Sequence, residues 1–180
     1  MSLAAKVREQ LISSFRVELS EHVQTMNDGL LVLEQGTVDG EQRKITLENI
    51  FRAAHSLKGA ARAMGVTMVE QLAHALESML DDLQTDSIQP TTQLFTASYR
   101  AVDAIQIVQA AYEAGKTTPP MEALQALADL EQTRTAAQAG RDTEPVVQAG
   151  VEAKVEQATL PVESEPALPA TTEAVPADIT

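Results

Sequence analysis

Apolar residues recur at three- and four-residue steps through most of the chain, which is the spacing of amphipathic α-helices. The first stripe predicts one long helix, ended by the glycines at 36 and 40; its members are Val7, Leu11, Phe15, Leu19, His22, Met26, Leu30 and Leu33. A second helix is predicted from about Glu41 to Met64. Gly65 follows it at the place where a left-handed C-terminal cap would lie.

Three further helices are predicted after Gly65. Thr67 and Glu70 have the spacing of a capping box, so the third helix should begin at Thr67. A fourth helix is predicted over about 94–112 and a short fifth helix over about 121–132. Five helices with short connections predict an all-α fold, an antiparallel helical bundle of about five helices with a four-helix core.

The composition changes beyond about Thr133. Residues 141–180 contain five of the eight prolines and have eight acidic against two basic side chains. Such a segment buries too little apolar surface to offset the entropy of ordering it. We therefore assign residues 1–135 to the helical-bundle domain and predict that residues 136–180 form a disordered acidic linker or tail rich in Ala, Pro and Glu.

The charge of the chain restricts its partners. Its formal net charge is −13, which disfavours binding to nucleic acid or to an anionic membrane surface and favours a protein partner. The sequence has no cysteine and no apolar run long enough to cross a bilayer, so we expect a cytoplasmic protein. A bundle of this size can close its own core, so we expect a monomer.

The second helix has a histidine beside its apolar stripe. His55 follows the core position Ala54 by one residue, which turns its side chain toward solvent. A neutral imidazole has one free nitrogen, which can attack an electrophilic phosphoryl group. Basic and small residues lie on the same flank and could contact phosphate or a partner; they are Arg52, Lys58, Gly59 and Arg62. Exposed arginines such as Arg52 and Arg62 are also typical of surface ion pairs without a function.

The third helix offers partners for this histidine. His74 and Glu77 lie three residues apart on one flank, and antiparallel packing of helices two and three could bring them next to His55. A carboxylate that accepts the Nδ1 proton would leave Nε2 bare and nucleophilic. The sequence thus predicts a reactive imidazole oriented from the neighbouring helix.

The segment from Phe51 to Gly65, FRAAHSLKGAARAMG, resembles the phospho-accepting helix of histidine phosphotransfer (HPt) domains. The resemblance is greatest to the N-terminal domain of chemotaxis-type histidine kinases and covers roughly the first three quarters of the chain. It implies that His55 is the phosphorylated residue, that Lys58 lies near the phosphoryl group and that Gly59 admits the partner. It also implies that His74 and Glu77 belong to the hydrogen-bond network around the ring.

The resemblance further implies the partners and the place of this chain in a relay. His55 would accept a phosphoryl group from a histidine kinase catalytic domain and pass it to an aspartate of a response-regulator receiver domain. ATP and Mg²⁺ would belong to those partner domains, so no cofactor is expected in this chain. With no Gly-rich phosphate loop in the sequence, we expect a phosphoryl carrier that is the N-terminal part of a histidine kinase.

Two alternatives use the same residues. The helical face could be a docking module for a receiver domain in which His55 is never phosphorylated. Alternatively, two imidazoles and a carboxylate, from His55, His74 and Glu77, are competent zinc ligands, although the ammonium of Lys58 would repel a cation there.

Overall fold

The computed structural model describes residues 3–140, and its secondary structure consists of five α-helices joined by short connections. In chain order they are α1 (Leu3–Gln35), α2 (Gly40–Met64), α3 (Thr67–Gln84), α4 (Thr92–Glu113) and α5 (Met121–Gln138). The predicted all-α bundle is therefore confirmed. Residues 141–180, which make up most of the predicted tail, lie outside the described residues.

Helices α1 to α4 form a closed ring around the core. α2 packs against α1 and α3, α4 also packs against α1 and α3, and α5 is added on the outside of α3 and α4. Because α5 has no contact with α2 in the described part of the chain, it leaves the surface of α2 uncovered. The core consists of leucine, alanine, methionine, valine and isoleucine side chains with two phenylalanines, Phe15 and Phe95.

Local residues account for the ends of α2. The side chain of Asp39 accepts a hydrogen bond from the backbone N–H of Gln42 at 2.8 Å and so caps the first turn. At the other end Gly65 adopts φ 70°, and its N–H and that of Val66 bond back to carbonyls of the last turn. This is the left-handed cap that the sequence predicts, and it turns the chain directly into α3.

Three details of the predicted helices are wrong. The third helix begins at Thr67, as predicted, but Thr67 is not its capping residue, because Val66 occupies the N-cap position after the left-handed Gly65 and no side chain caps α3. Val7 and Leu11 are about half exposed, so the buried stripe of α1 begins only at Phe15. The fifth helix ends at Gln138 rather than at 132, and the predicted domain boundary at 135 therefore falls inside it.

The last turns of α5 are tied to α3 by polar contacts. Nε of Arg134 lies 2.5 Å from Oδ2 of Asp82, and Nε2 of Gln138 donates to the same oxygen at 2.8 Å. The segment after 132 contains no proline or glycine before Gly140, so nothing in it stops the helix earlier. These contacts explain why α5 is longer than its apolar pattern predicts.

Tyr99 connects α4 to the end of α1. Its hydroxyl donates to a carboxylate oxygen of Glu34 at 3.0 Å. Partial burial, followed by this hydrogen bond to an anion, raises the pKa of Tyr99 to about 12. The phenol therefore stays protonated and remains a donor throughout the physiological range. The predicted core histidine of α1, His22, is mostly buried, with Nε2 3.7 Å from the carboxylate of Glu18.

Within residues 3–140, no helix is both long enough and apolar enough to span a bilayer.

A glycine sets the closest approach of α1 to α2. A Cβ at Gly29 would overlap Cγ2 of Ile50 on α2, and Ile50 is fully buried. Since Cγ2 is bonded directly to Cβ, a rotamer change within a packed core cannot easily remove it from the contact. Gly29 is thus required by packing.

We predict that Gly29→Ala destabilises the bundle by about 1–3 kcal/mol, the range for overpacking a core, despite the higher helix propensity of alanine. The measurement is urea unfolding followed by circular dichroism. Gly59→Ala is the matched control, because a Cβ at Gly59 would meet nothing within 4 Å. That variant should gain about 0.5–1 kcal/mol. An unfolding midpoint for Gly29→Ala at or above that of the wild type would contradict the packing argument.

Candidate functional site

His55 lies on the outer surface of α2, in the middle of the helix. Its neighbours Ala54 and Leu57 are fully buried, whereas the side chain of His55 is 62% exposed. The one-residue offset from the core stripe therefore places the imidazole at the surface, as the sequence predicts. Another protein can reach it there.

A carboxylate of α3 holds one edge of the imidazole. Nδ1 of His55 lies 2.8 Å from Oε1 of Glu77. An ionised carboxylate can only accept, so Nδ1 carries the hydrogen and Nε2 keeps its lone pair in the neutral ring. Nε2 has no hydrogen-bond partner within residues 3–140 and is available as a nucleophile.

The other oxygen of Glu77 is bound by a lysine. Nζ of Lys58, one turn after His55 on α2, forms an ion pair with Oε2, and the side chain of Glu77 is only 13% exposed. Burial alone would raise the pKa of Glu77. The hydrogen bond from His55 and the hydrogen bond and charge of Lys58 outweigh burial, so the pKa lies below its usual 4.5. Glu77 is therefore an anion at neutral pH and bridges two residues of α2.

The helix that bears His55 is basic in an otherwise acidic chain. It has five basic residues against two acidic ones, Glu41 and Glu48; the basic residues are Arg43, Lys44, Arg52, Lys58 and Arg62. This local surplus of positive charge would attract an anionic partner or phosphate.

The two predicted phosphate contacts, Arg52 and Arg62, are not joined to His55. The guanidinium of Arg52 forms an ion pair with Glu48 on the same helix, and Nε of Arg62 lies 4.0 Å from Glu70 of α3. Both arginine side chains are highly exposed, so each could leave its acidic neighbour at low cost. Their contact with phosphate or a partner remains a prediction.

Gly59 provides an open surface one turn beyond His55. It is exposed, and a Cβ built there would meet nothing within 4 Å. The fold of the chain therefore does not require glycine at this position. A glycine at position 59 is instead explained by the room that it leaves for an approaching partner.

Among the described residues, His74 makes no hydrogen bond or ring contact with His55. His74 lies one turn before Glu77 on α3 and is exposed, and its side chain has no hydrogen bond or ion pair among the described residues. Its assignment to the site remains a prediction. Between residues 3 and 140, no three His, Asp or Glu side chains are grouped as metal ligands, so the zinc alternative finds no ligand set there.

Sequence reasoning missed one contact of His55. The ring of Phe51, one turn earlier on α2, stacks on the imidazole with a centroid distance of 6.3 Å and an interplanar angle of 18°. The signal in the sequence was the four-residue spacing of the two rings, which places them on one helix face.

Comparisons with known proteins agree with this geometry. The family model described as "Hpt domain" matches residues 10–158. The chemotaxis protein CheA of Bacillus subtilis is 35% identical over 107 residues, which cover 59% of this chain and 15% of that protein. CheA of Listeria monocytogenes is 31% identical over 122 residues, covering 63% of this chain and 19% of that protein. The chain thus spans less than a fifth of the length of these curated relatives.

A solved structure has the same fold. It is the phosphorylated P1 domain of CheA3 in complex with CheY6 from R. sphaeroides, with a TM-score of 0.62 and 17% sequence identity. The match covers 71% of this chain and 98% of that one. The helical bundle, the exposed histidine held by a carboxylate and the family model over most of the chain lead to one conclusion: this chain belongs to the Hpt domain family.

Proposed function

We propose that the chain is a phosphoryl carrier of a chemotaxis-type phosphorelay in the cytoplasm. His55 accepts a phosphoryl group from a histidine kinase catalytic domain and passes it to an aspartate of a response-regulator receiver domain. The observation that carries the proposal is the exposed imidazole whose Nδ1 is hydrogen-bonded to Glu77 at 2.8 Å. The curated relatives, named chemotaxis protein CheA, and a solved relative that is phosphorylated and bound to CheY6 support it.

In the first step the lone pair of Nε2 attacks the γ-phosphorus of ATP held by the kinase domain. The N–P bond forms as the bond from phosphorus to the bridging oxygen breaks, and ADP leaves with that electron pair. The imidazole becomes positively charged because Nδ1 keeps its hydrogen. This reaction depends on positioning and on charge stabilisation more than on proton transfer.

Glu77 contributes to this step in two ways. By accepting from Nδ1 it selects the tautomer that leaves Nε2 bare, and as an anion it stabilises the positive charge that develops on the ring. Lys58 pairs with the second carboxylate oxygen, which opposes rotation of Glu77 away from the ring. The lysine is thereby kept on the flank where the phosphoryl group arrives, as the family resemblance implies.

In the second step a carboxylate oxygen of the receiver aspartate attacks the phosphorus. The N–P bond breaks and its electron pair returns to Nε2, which restores the neutral ring with its hydrogen on Nδ1. A Mg²⁺ ion held by the receiver would supply charge stabilisation for the transferring group. The chain itself supplies the nucleophile and its orientation, with Gly59 leaving space for both partners.

We predict that a chemotaxis-class kinase core with ATP labels the wild-type protein and leaves His55→Gln unlabelled. Glu77→Gln should be labelled about 10- to 100-fold more slowly, because an amide can donate to Nδ1 and select the wrong tautomer. The measurement is the initial rate of ³²P incorporation, with acid and base treatment of the product. The label should be acid-labile and base-stable.

His22→Gln is the matched control, because it is the same substitution at a histidine of α1 that also lies near a glutamate, Glu18. It should be labelled at the wild-type rate. Equal labelling of His55→Gln, or no labelling of the wild type by any of several such kinases, would contradict the proposal. The second result would favour the docking module.

The ionised state of Glu77 gives a prediction for stability against pH. Because its pKa is lowered in the folded protein, the carboxylate stabilises the fold above its unfolded pKa near 4.5, and this contribution is lost as the pH falls through the folded pKa. The difference in unfolding free energy between the wild type and Glu77→Gln should therefore be largest at neutral pH and shrink below about pH 4.5.

Urea unfolding at a series of pH values measures this difference. Glu48→Gln is the control, because the Glu48–Arg52 ion pair is exposed and should contribute little at any pH. A difference for Glu77→Gln that stays constant from neutral pH to well below 4.5 would contradict the assignment of Glu77 as the charged acceptor.

A further inference from the structure

The imidazole of His55 has two neighbours that restrain it, and only one is polar. Glu77 holds the Nδ1 edge, and the ring of Phe51 lies nearly parallel to the imidazole, 18° from it, with centroids 6.3 Å apart. Phe51 is half-buried and packs against the hydrophobic core. Its ring is therefore fixed by the bundle, whereas the imidazole is mostly in solvent.

One hydrogen bond is insufficient to orient an exposed ring. The imidazole moves through its two side-chain torsions, χ1 and χ2, and a single hydrogen bond from Nδ1 to Oε1 tolerates a range of angles, so coupled changes of the two torsions still alter the direction of Nε2. A flat neighbour on one face limits that tilt, because the parallel arrangement is lost when the imidazole rotates. The two contacts therefore have different effects: Glu77 sets the tautomer of the imidazole, and Phe51 limits the orientations of its ring plane.

We propose that Phe51 is a positioning residue that fixes the plane of the His55 imidazole, so that the Nε2 lone pair points in one direction before a partner binds. This inference rests on the proposed phosphoryl transfer. Transfer to or from phosphorus needs the attacking and leaving atoms in line, so a ring that samples many planes reacts from only a fraction of its orientations. Loss of Phe51 should slow transfer in both directions.

A docking role for Phe51 would give a different signature. Phe51 also lines a shallow groove at the start of α2, together with Arg43, Lys44, Leu47 and Arg52. If a partner inserted into that groove, replacing Phe51 would weaken binding and leave the rate within the complex unchanged. Positioning lowers the rate within the complex and leaves the affinity unchanged.

The experiment compares the wild type with Phe51→Leu and Phe51→Tyr. Leucine keeps most of the apolar volume and loses the flat face, whereas tyrosine keeps the ring. We expect the transfer rate from phosphorylated protein to a chemotaxis-class receiver domain, at saturating receiver, to fall about 3- to 10-fold in Phe51→Leu and to stay within about twofold in Phe51→Tyr. The receiver concentration at half-maximal rate should be unchanged in both.

Leu33→Ala is the control for an effect of lost stability on the rate. It removes a partly buried side chain of α1 that also packs against the core. That variant should lose stability without losing transfer rate. An unchanged rate for Phe51→Leu, or a fall that appears only in the half-maximal receiver concentration, would overturn the proposal. A fall of the same size in Leu33→Ala would overturn it as well.

A second readout does not depend on phosphoryl transfer. In nuclear magnetic resonance spectra, contacts between the ring protons of Phe51 and His55 and the ring-current shift of His55 should be present in the wild type and in Phe51→Tyr. Both should be lost in Phe51→Leu. If the wild type is never phosphorylated, the proposed function fails, and these spectra still decide whether Phe51 restrains the ring. Their absence in the wild type overturns the inference.

Discussion

The site depends on the contacts that the carboxylate of Glu77 makes with two residues of α2. One oxygen accepts from Nδ1 of His55, and the other pairs with Nζ of Lys58, so a single α3 side chain holds two residues of α2. Because the side chain of Glu77 is only 13% exposed, its charge is less screened by solvent than that of a fully exposed glutamate. Partial burial does not neutralise it, because the hydrogen bonds from His55 and Lys58 and the charge of Lys58 hold its pKa below 4.5, so the charged acceptor is in place before any partner arrives.

The antiparallel packing of α2 and α3 makes this contact possible. His55 lies nine residues before the last residue of α2, Met64, and Glu77 lies ten residues after the first residue of α3, Thr67. At about 1.5 Å per residue both are about 14–15 Å from the turn, so an antiparallel pair brings them opposite each other. Gly65 in the left-handed conformation closes that turn, and Gly29 lets α1 support α2 from the other side. The reactive face of α2 stays open because α5 packs elsewhere.

Some features of this arrangement can be predicted from the sequence, and others cannot. The helices, the cap at Gly65 and the outward position of His55 follow from local spacing, which a single sequence contains. The sequence also predicts that His74 and Glu77 both lie next to His55. Only Glu77 is hydrogen-bonded to the ring, because the exact register of the helix pair, which the sequence does not contain, decides which side chain meets it. Val7 and Leu11 continue the apolar stripe of α1 but are about half exposed, since periodicity does not show how far the neighbouring helices extend. The extra turns of α5 depend on Asp82, which is about fifty residues earlier in the chain.

We infer that Glu77 holds His55 in the tautomer that leaves Nε2 bare. Two-dimensional ¹H–¹⁵N nuclear magnetic resonance of the imidazole, recorded at alkaline pH, measures this state directly in the wild type and in Glu77→Gln. We expect a protonated Nδ1 and an unprotonated Nε2 in the wild type, with a shift toward the other tautomer in the variant. A wild-type ring with its hydrogen mainly on Nε2 would contradict it.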